Sequence, residues 1–532
     1  MAYRDMRETL AALEENGLLY RVKTPVNKDT ELMPMVRWQF RGLPEEQRKA
    51  FLFENVYDSR GRQYDIPVVV GLLGGSRQVF ACGMECETEE IMERLAAGQR
   101  NPIQPSMIGK EEAPCKQVIL TGGELQGADG GLYRFPIPIS TPGYDPAPFI
   151  TSPYVITKDP ETGIRNVGTY RMMLKGSSKT GMFMHTTQHL GRHWLKYKEM
   201  GKPMPCAVVI GTVPAIGMVS ATKIPYGVDE LSVAGGFMGR PVELVPCETV
   251  DLEVPAQAEI VLEGFVTTDV KEPEAPFGEF TGYMGARQMH PIFHITCITH
   301  RREPIYQAFL SQFPPSESSK LRQITFEAIY YKTLKYDCNI PAVLDVAFHE
   351  SGGSRNYIVI QMKKRTPAEP WQALHAAAAL DSITGKIIIA VDEDIDPREP
   401  EAVNWALSFG MQPKRDISIV EHKASMIDPS AAPPGSPEEE AIFPKPSGAS
   451  AVLIDATRKW DYPPVSLPKR QFMERARELW EQEGLPPLQP RNPWYGYDLG
   501  YWSHELDEEA RLAVLGEYDR IGDKLREQAK KV

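Results

Sequence analysis

Between Gln117 and Ala308 the sequence breaks repeatedly into short β-branched and aromatic runs ended by glycine or proline. VILTG, FITSPYVIT, CAVVIGTV, VELVPCETVDLEV, AEIVLEGFV and HITCITHR are the clearest. Such residues suit a pleated, half-buried surface, and the breakers turn the chain between runs. Strands this short and this frequent predict an antiparallel sheet or barrel for the middle of the chain.

The flanks read differently. Met6, Leu10 and Leu13 stand at helical spacing with Gly17 as a stop. Strand-like runs (LLYRV, FLFENV, IPVVVGLL) and helical stretches near 29–42 and 87–98 follow, which predicts an α/β domain over 1–116. Residues 316–336 read as one long helix after the sheet region of 117–315. KIIIAVDEDID is a buried strand ending in acids, inside a second α/β segment over 337–490. Residues 429–448 hold six prolines and read as an irregular loop or lid, and 491–532 as an aromatic tail with a charged helix. The fold class expected is therefore α+β, in several domains, because 532 residues exceed a single core.

Charge and cysteine usage exclude some functions. A net charge of -12 argues against nucleic acid as the main partner. Seven cysteines without a CxxC pair make neither a disulfide framework nor a zinc ribbon, and fit a reducing, cytoplasmic setting. The opening MAYRDMRETL has no signal-peptide core, and Cys206–Ala221, the longest apolar stretch, is interrupted by Gly211, Pro214 and Gly217. No membrane partner is expected, and that stretch reads as buried strand and loop.

Residues able to carry chemistry cluster in a few places. From Arg165 to Lys202 there are eight lysines and arginines against one acid, Glu199. The excess suits an anion site or a solvated basic face equally well. His185, His189 and His193 would share a face if helical, but the glutamate of HExxH is missing, and Thr186 and Thr187 favour strand. Glu274 and Glu279 lie five residues apart across Pro276 and Gly278, a spacing that can hold two acids in unlike environments. The glycine-rich stretches GLLGGSRQ (71–78) and AGGFMGR (234–240) match no nucleotide-binding pattern and read as turns.

Taken in order and spacing, NVGTYR (166–171), TQHLGRH (187–193), DELSVAGG (229–236) and EAPFGE (274–279) resemble the UbiD family of prenylated-FMN decarboxylases. The likeness extends over most of the chain. It implies a central flavin-binding split β-barrel between an N-terminal α/β domain and a C-terminal α/β oligomerisation domain, with the long helix joining the last two. It implies a catalytic set of Arg171, Glu274 and Glu279. It also implies a divalent metal, Mn2+ or Mg2+, held by Asn166, His189 and Glu230, with K+ beside it. Gln188 matches a residue near the flavin, and Lys386 a contact to the cofactor phosphate. A flavin prenyltransferase would supply the cofactor, and the assembly would be a homodimer or hexamer.

The residue types suit that chemistry. Decarboxylation leaves an electron pair that no side chain here can accept, so the cofactor carries that step while the protein positions and protonates. Arg171 is expected to hold the substrate carboxylate and pair with Glu274, and Glu279 to deliver the proton. Asn166 and Arg171 would face opposite ways on a regular strand, so Gly168 is expected to mark a bulge or bend. The substrate class is an aromatic or α,β-unsaturated acid. RWQFRG (37–42) and the aromatic tail resemble the aryl-CoA branch, which acts on thioesters such as phthaloyl-CoA. Two rivals remain: an FMN oxidoreductase on a split barrel, and a non-catalytic flavin-binding assembly subunit.

Overall fold

In the computed structural model, the residues described are 3–186, 188–424, 428–431, 449–490, 494–495 and 499–527. Thr187, most of the proline-rich loop, much of the aromatic tail and the last residues of the charged helix lie outside them.

Near the N-terminus, helix α1 (Met6–Glu15) is capped by Asp5, whose carboxylate accepts the Arg7 and Glu8 N–H groups. It buries Met6, Leu10 and Leu13, as their spacing predicts. Strands β1 (Leu19–Val22), β2 (Ala50–Phe53) and β3 (Val68–Val70) form a sheet beside helix α2 (Leu32–Gly42). A strand from far along the chain, Tyr306–Gln307, completes that sheet by pairing parallel to β3.

The middle of the chain supplies β4 (Val118–Thr121), β5 (Phe149–Ile150), β6 (Tyr154–Lys158), β7 (Arg165–Thr169), β8 (Met172–Gly176), β9 (Lys179–Gly181), β10 (Met204–Ile210), β11 (Ile260–Glu274) and β12 (Gln288–His300). Their order is β7-β6-β10-β11-β12-β9-β8-β5, with β4 also on β12. β7 and β8 are consecutive in the chain yet six strand spacings apart in this order. A flat sheet would separate them by about 29 Å. Only Tyr170 and Arg171 connect them, and two residues with their flanking bonds reach about 11 Å at most. The sheet must therefore curl until its ends approach, which is the split barrel expected of the fold.

Strands of this sheet are buried on both faces. Val155, Cys206, Val208 and Leu262 point into one core, and Tyr154, Ile156, Ala207, Val209 and Val261 into another. Near-continuous apolar runs follow from that double burial. Helix α3 (His189–Glu199) packs Leu190 and Trp194 into the first core, and the second is covered by Pro214–Ser220 and helix α4 (Glu230–Met238). Residues 214–220, expected as loop, are helical, and AGGFMGR, expected as a turn, forms the end of α4, with Gly239 as a left-handed cap. Its glycines permit contact instead of turning the chain: a Cβ on Gly236 would stand 2.3 Å from the Gly98 carbonyl oxygen.

Helix α5 (Glu317–Lys332) is buried on nearly every side and continues as a wider π-turn over Thr333–Asp337. Leu321, Ile324 and Ala328 join the core of the curled sheet, and Phe326 and Ile329 join the next core. At its start, the Glu317 carboxylate accepts the N–H groups of Gly71, Leu73 and Leu310 at 2.9, 3.1 and 3.2 Å.

The C-terminal sheet holds β13 (Val343–Phe348), β14 (Tyr357–Met362), β15 (Ile387–Asp392), β16 (Ile417–Val420) and β17 (Ala451–Asp455), ordered β13-β14-β15-β17-β16. Helices Ala368–Leu380 and Pro400–Phe409 cover its two faces. The tail helices Arg470–Gln482 and His504–Val514 bury none of their residues. Among the described residues no helix is long and apolar enough to cross a membrane.

Candidate active site

Arg171 sits in the two-residue crossing between β7 and β8, at the split of the barrel. Its Nε lies 3.3 Å from Oε1 of Glu274, and its Nη1 donates to Oε1 of Glu279. The guanidinium carbon stands 3.9 Å from the ring centre of Phe183 and 5.0 Å from that of Phe277. Two carboxylates and two rings therefore fix one cation.

The two glutamates occupy different surroundings. Glu274 ends β11 and has no exposed surface. Burial pushes its carboxyl up to about 7, against the pull of Arg171, and its Oε2 has no hydrogen-bond partner. Gly181 gives that oxygen its room, since a Cβ there would stand 2.4 Å away. Glu279 lies past a short ladder of Phe277–Gly278 with Met284–Gly285, and its side chain lines a cavity of about 740 Å³. This is the separation of environments that the EAPFGE spacing allows.

Asn166, His189 and Glu230 meet at another part of the same cavity. Asn166 is on β7, and His189 and Glu230 are the first residues of α3 and α4. The Val167 N–H donates to Glu230 Oε2 at 2.9 Å, and His189 Nδ1 is 3.4 Å from Glu230 Oε1. Burial raises the Glu230 carboxyl, partly offset by His189 and the Val167 N–H. The Asn166 amide nitrogen is buried without an acceptor. These features fit a hard divalent cation: neighbouring ligands on an octahedral Mg2+-sized ion stand about 3 Å apart, and an amide turned about its last bond presents oxygen. Among the described residues no three His, Cys, Asp or Glu side chains gather as a metal cluster.

Other expectations change. β7 pairs with β6 in unbroken register through Gly168, so there is no bulge. The strand simply ends at Thr169, and the crossing turns Arg171 into the cavity. Gly168 serves Tyr170 instead, whose ring would lie 2.5 Å from a Cβ at 168. Lys386 does not reach the cavity: its Nζ bonds Asp428 at 3.0 Å and Ser430 at 2.6 Å, beside a separate space of about 450 Å³. Its place one residue before β15 aims it at that loop.

α3 begins at His189, so the three histidines do not share a helical face; His185 precedes the helix and Thr186 lies in a turn, not a strand. His193 is buried with Nδ1 2.9 Å from Thr157 Oγ1. Gln188 lines the cavity at the cap position of α3 and accepts the His185 N–H at 2.9 Å. Much of the basic window is neutralised elsewhere: Arg165 pairs with Asp229 and Glu253, Lys175 and Lys179 with Glu272, and Lys196 with Asp159. From that window Arg171 and Arg192 line the cavity. The sequence reading missed Lys223, Arg322 and Arg355, which also line it. They come from distant segments, and no local pattern marks them.

Residues 10–98, 106–313 and 321–456 match, in turn, the N-terminal, Rift-related and C-terminal domains of 3-octaprenyl-4-hydroxybenzoate carboxy-lyase, UbiD. Over 483 residues the sequence is 35% identical to an uncharacterized protein of Archaeoglobus fulgidus, covering 86% of this chain and 93% of the relative. The chain belongs to the UbiD family of carboxy-lyases. Its fold is also that of solved UbiD-class enzymes. An evolved dimeric form of HmfF from Pelotomaculum thermopropionicum, in complex with prFMN, superposes with a TM-score of 0.76 at 31% identity, covering 90% of this chain and 100% of that one. The vanillic acid decarboxylase of Sedimentibacter hydroxybenzoicus gives 0.74 at 27% identity, covering 91% and 100%. The 3,4-dihydroxybenzoic acid decarboxylase AroY of Klebsiella pneumoniae gives 0.74 at 27%, covering 89% and 99%.

Proposed function

We propose that this UbiD-family chain is a prenylated-FMN-dependent, non-oxidative and reversible decarboxylase of an aromatic or α,β-unsaturated carboxylic acid. The observation that carries this reading is Arg171 fixed between Glu274 and Glu279 at a cavity that Asn166, His189 and Glu230 also line. When bound, the flavin supplies the electron sink that no side chain can. Asn166, His189 and Glu230 would hold Mn2+ or Mg2+ for its phosphate, with K+ beside it and Gln188 along its edge.

Arg171 receives the substrate carboxylate. Glu274, buried behind Arg171 with its carboxyl raised to about 7, offsets the guanidinium less than an ordinary carboxylate would and leaves more of its charge for the substrate carboxylate. Glu279 reaches the cavity and places the proton that replaces CO2. Two solved neighbours are named for free phenolic acids, vanillic and 3,4-dihydroxybenzoic, which supports a free acid over a CoA thioester. Arg37 of RWQFRG also binds the carbonyls of Ser311, Phe313 and Pro315 and so braces the loop before α5, a role that needs no CoA.

The test is the mass and visible spectrum of the cofactor released from protein co-expressed with a flavin prenyltransferase, joined to CO2 release from a panel of aromatic acids. Prenylated FMN with CO2 release is expected. Unmodified FMN with steady NAD(P)H oxidation would make the chain an oxidoreductase. Bound flavin with neither CO2 release nor isotope exchange would make it an assembly subunit. Sedimentation of the same sample distinguishes a homodimer from a hexamer.

A further inference from the structure

Strand β7 is an edge of the curled sheet: it pairs with β6 on one side and, among the described residues, with no strand on the other. An edge strand leaves its outward N–H and C=O groups without ladder partners, so whatever packs there is held by other bonds. Here the start of α4 packs against it, and two bonds hold the two together. The Val167 N–H donates to Glu230 Oε2 at 2.9 Å. Two residues earlier, Arg165 grips Asp229, its Nε and Nη2 donating to Oδ2 at 3.0 and 2.6 Å.

Both partners are themselves anchored. The other oxygen of Asp229, Oδ1, accepts the Leu231 N–H at 3.0 Å and so caps α4. Arg165 Nη1 donates to Glu253 Oε2 at 2.9 Å, and Glu253 Oε1 accepts from Lys158 Nζ at 2.7 Å. Lys158 stands opposite Arg165 on β6. The side chains of Arg165 and Asp229 are 19% and 14% exposed, so water screens this pair less than it screens a surface ion pair.

The place of the pair in the chain gives it a purpose. Arg165 immediately precedes Asn166, and Asp229 immediately precedes Glu230. Each partner therefore stands one residue behind a donor of the metal set. Such donors keep their affinity only when held within about 0.5 Å of their working geometry. We propose that Arg165 and Asp229 are positioning residues for the divalent cation: their ion pair fixes Asn166 against Glu230 and so sets the affinity for the metal. This rests on the ligand set proposed above, and the experiment distinguishes the failure of one from the failure of the other.

Full-length protein, loaded with FMN and stripped of metal by a chelator, is titrated with Mn2+ alone, and free Mn2+ is read by electron paramagnetic resonance. R165M and D229N should each weaken Mn2+ binding by about 10–100-fold, the usual cost of losing a group that orients a metal ligand. D229N keeps an oxygen for the Leu231 N–H, so the cap survives and the metal-free variant should melt with metal-free wild type. The double variant R165M/D229N should bind no more weakly than the weaker single variant, because each partner acts through the other. R165K keeps the charge without the planar donor geometry and should recover part of the affinity.

Wild-type Mn2+ affinity in R165M and D229N overturns the inference, as do losses that multiply in the double variant. A loss that accompanies a lower metal-free melting temperature and is not recovered in R165K also overturns it, because that is an effect on the fold. His189→Ala tells the two readings apart. If it loses Mn2+ while R165M and D229N keep it, this inference alone fails. If it keeps Mn2+, the ligand set is wrong and the inference falls with it.

Discussion

The Nε of Arg171 lies 3.3 Å from Oε1 of Glu274, a carboxyl with no exposed surface, while Glu279 holds the other side of the same guanidinium from the cavity wall. One cation thus joins a dry acid to a ligand-facing acid. In the proposed reaction the dry acid sets how much positive charge Arg171 presents, and the facing acid delivers the proton. Four outcomes follow from this arrangement and its supports.

Glu279→Gln removes the proposed proton donor and keeps the shape of the side chain. Turnover should fall by about 10²–10⁴-fold, the usual contribution of a positioned acid, with flavin content unchanged. CO2 release and the absorbance of bound flavin check this, and near-normal turnover would assign the proton to another group.

Glu274 makes stability depend on pH with a definite sign. Its carboxyl is raised from 4.5 in the unfolded chain to about 7 in the fold. Between those values the folded state keeps a proton that the unfolded state has lost. Its contribution is therefore whole below pH 4.5 and is lost as pH rises towards 7, by about 3 kcal/mol. Denaturant midpoints at pH 5 and pH 7.5 should differ less in Glu274→Gln than in wild type. An unchanged difference would show that Glu274 titrates in its ordinary range.

His189→Ala and Glu230→Gln each remove one of the donors separated by 3.4 Å. Bound divalent metal, measured by plasma mass spectrometry, should drop about tenfold or more in both variants. Dialysis of wild type against a chelator should lower FMN retention in parallel. Full metal content in either variant would place the ion elsewhere.

Gly168→Ala would drive a Cβ to 2.5 Å from the Tyr170 ring, beside the crossing that carries Arg171. Overpacking of this kind costs about 1–3 kcal/mol, seen as a lower melting temperature, and weaker flavin retention should accompany it as the crossing shifts. A variant with wild-type melting and flavin content would show that Tyr170 relaxes freely.

Local chemistry made several of these elements legible in advance. Met6, Leu10 and Leu13 wrote helix α1 through their spacing, and KIIIAVDEDID wrote β15 through its unbroken apolar run, because periodicity depends only on near neighbours. The residue types of the proposed site were also readable, since the order of NVGTYR, TQHLGRH, DELSVAGG and EAPFGE survives in one dimension. Gly168, Gly235 and Gly236 were misread because a glycine's purpose lies in what approaches it, and Tyr170, Ile103 and Gly98 supply that approach only in the fold.

By itself, then, the sequence determined the alternation of elements, the acid pair and the donor types. Tertiary structure alone decided that the sheet curls and brings Arg171 to glutamates about a hundred residues away, that Glu274 is dry while Glu279 faces the cavity, and that Lys386 is outside it while Arg322 is inside. Burial and charge proximity are properties of the packed chain, set by strand order and by which segments exclude water from one another. No local pattern encodes them.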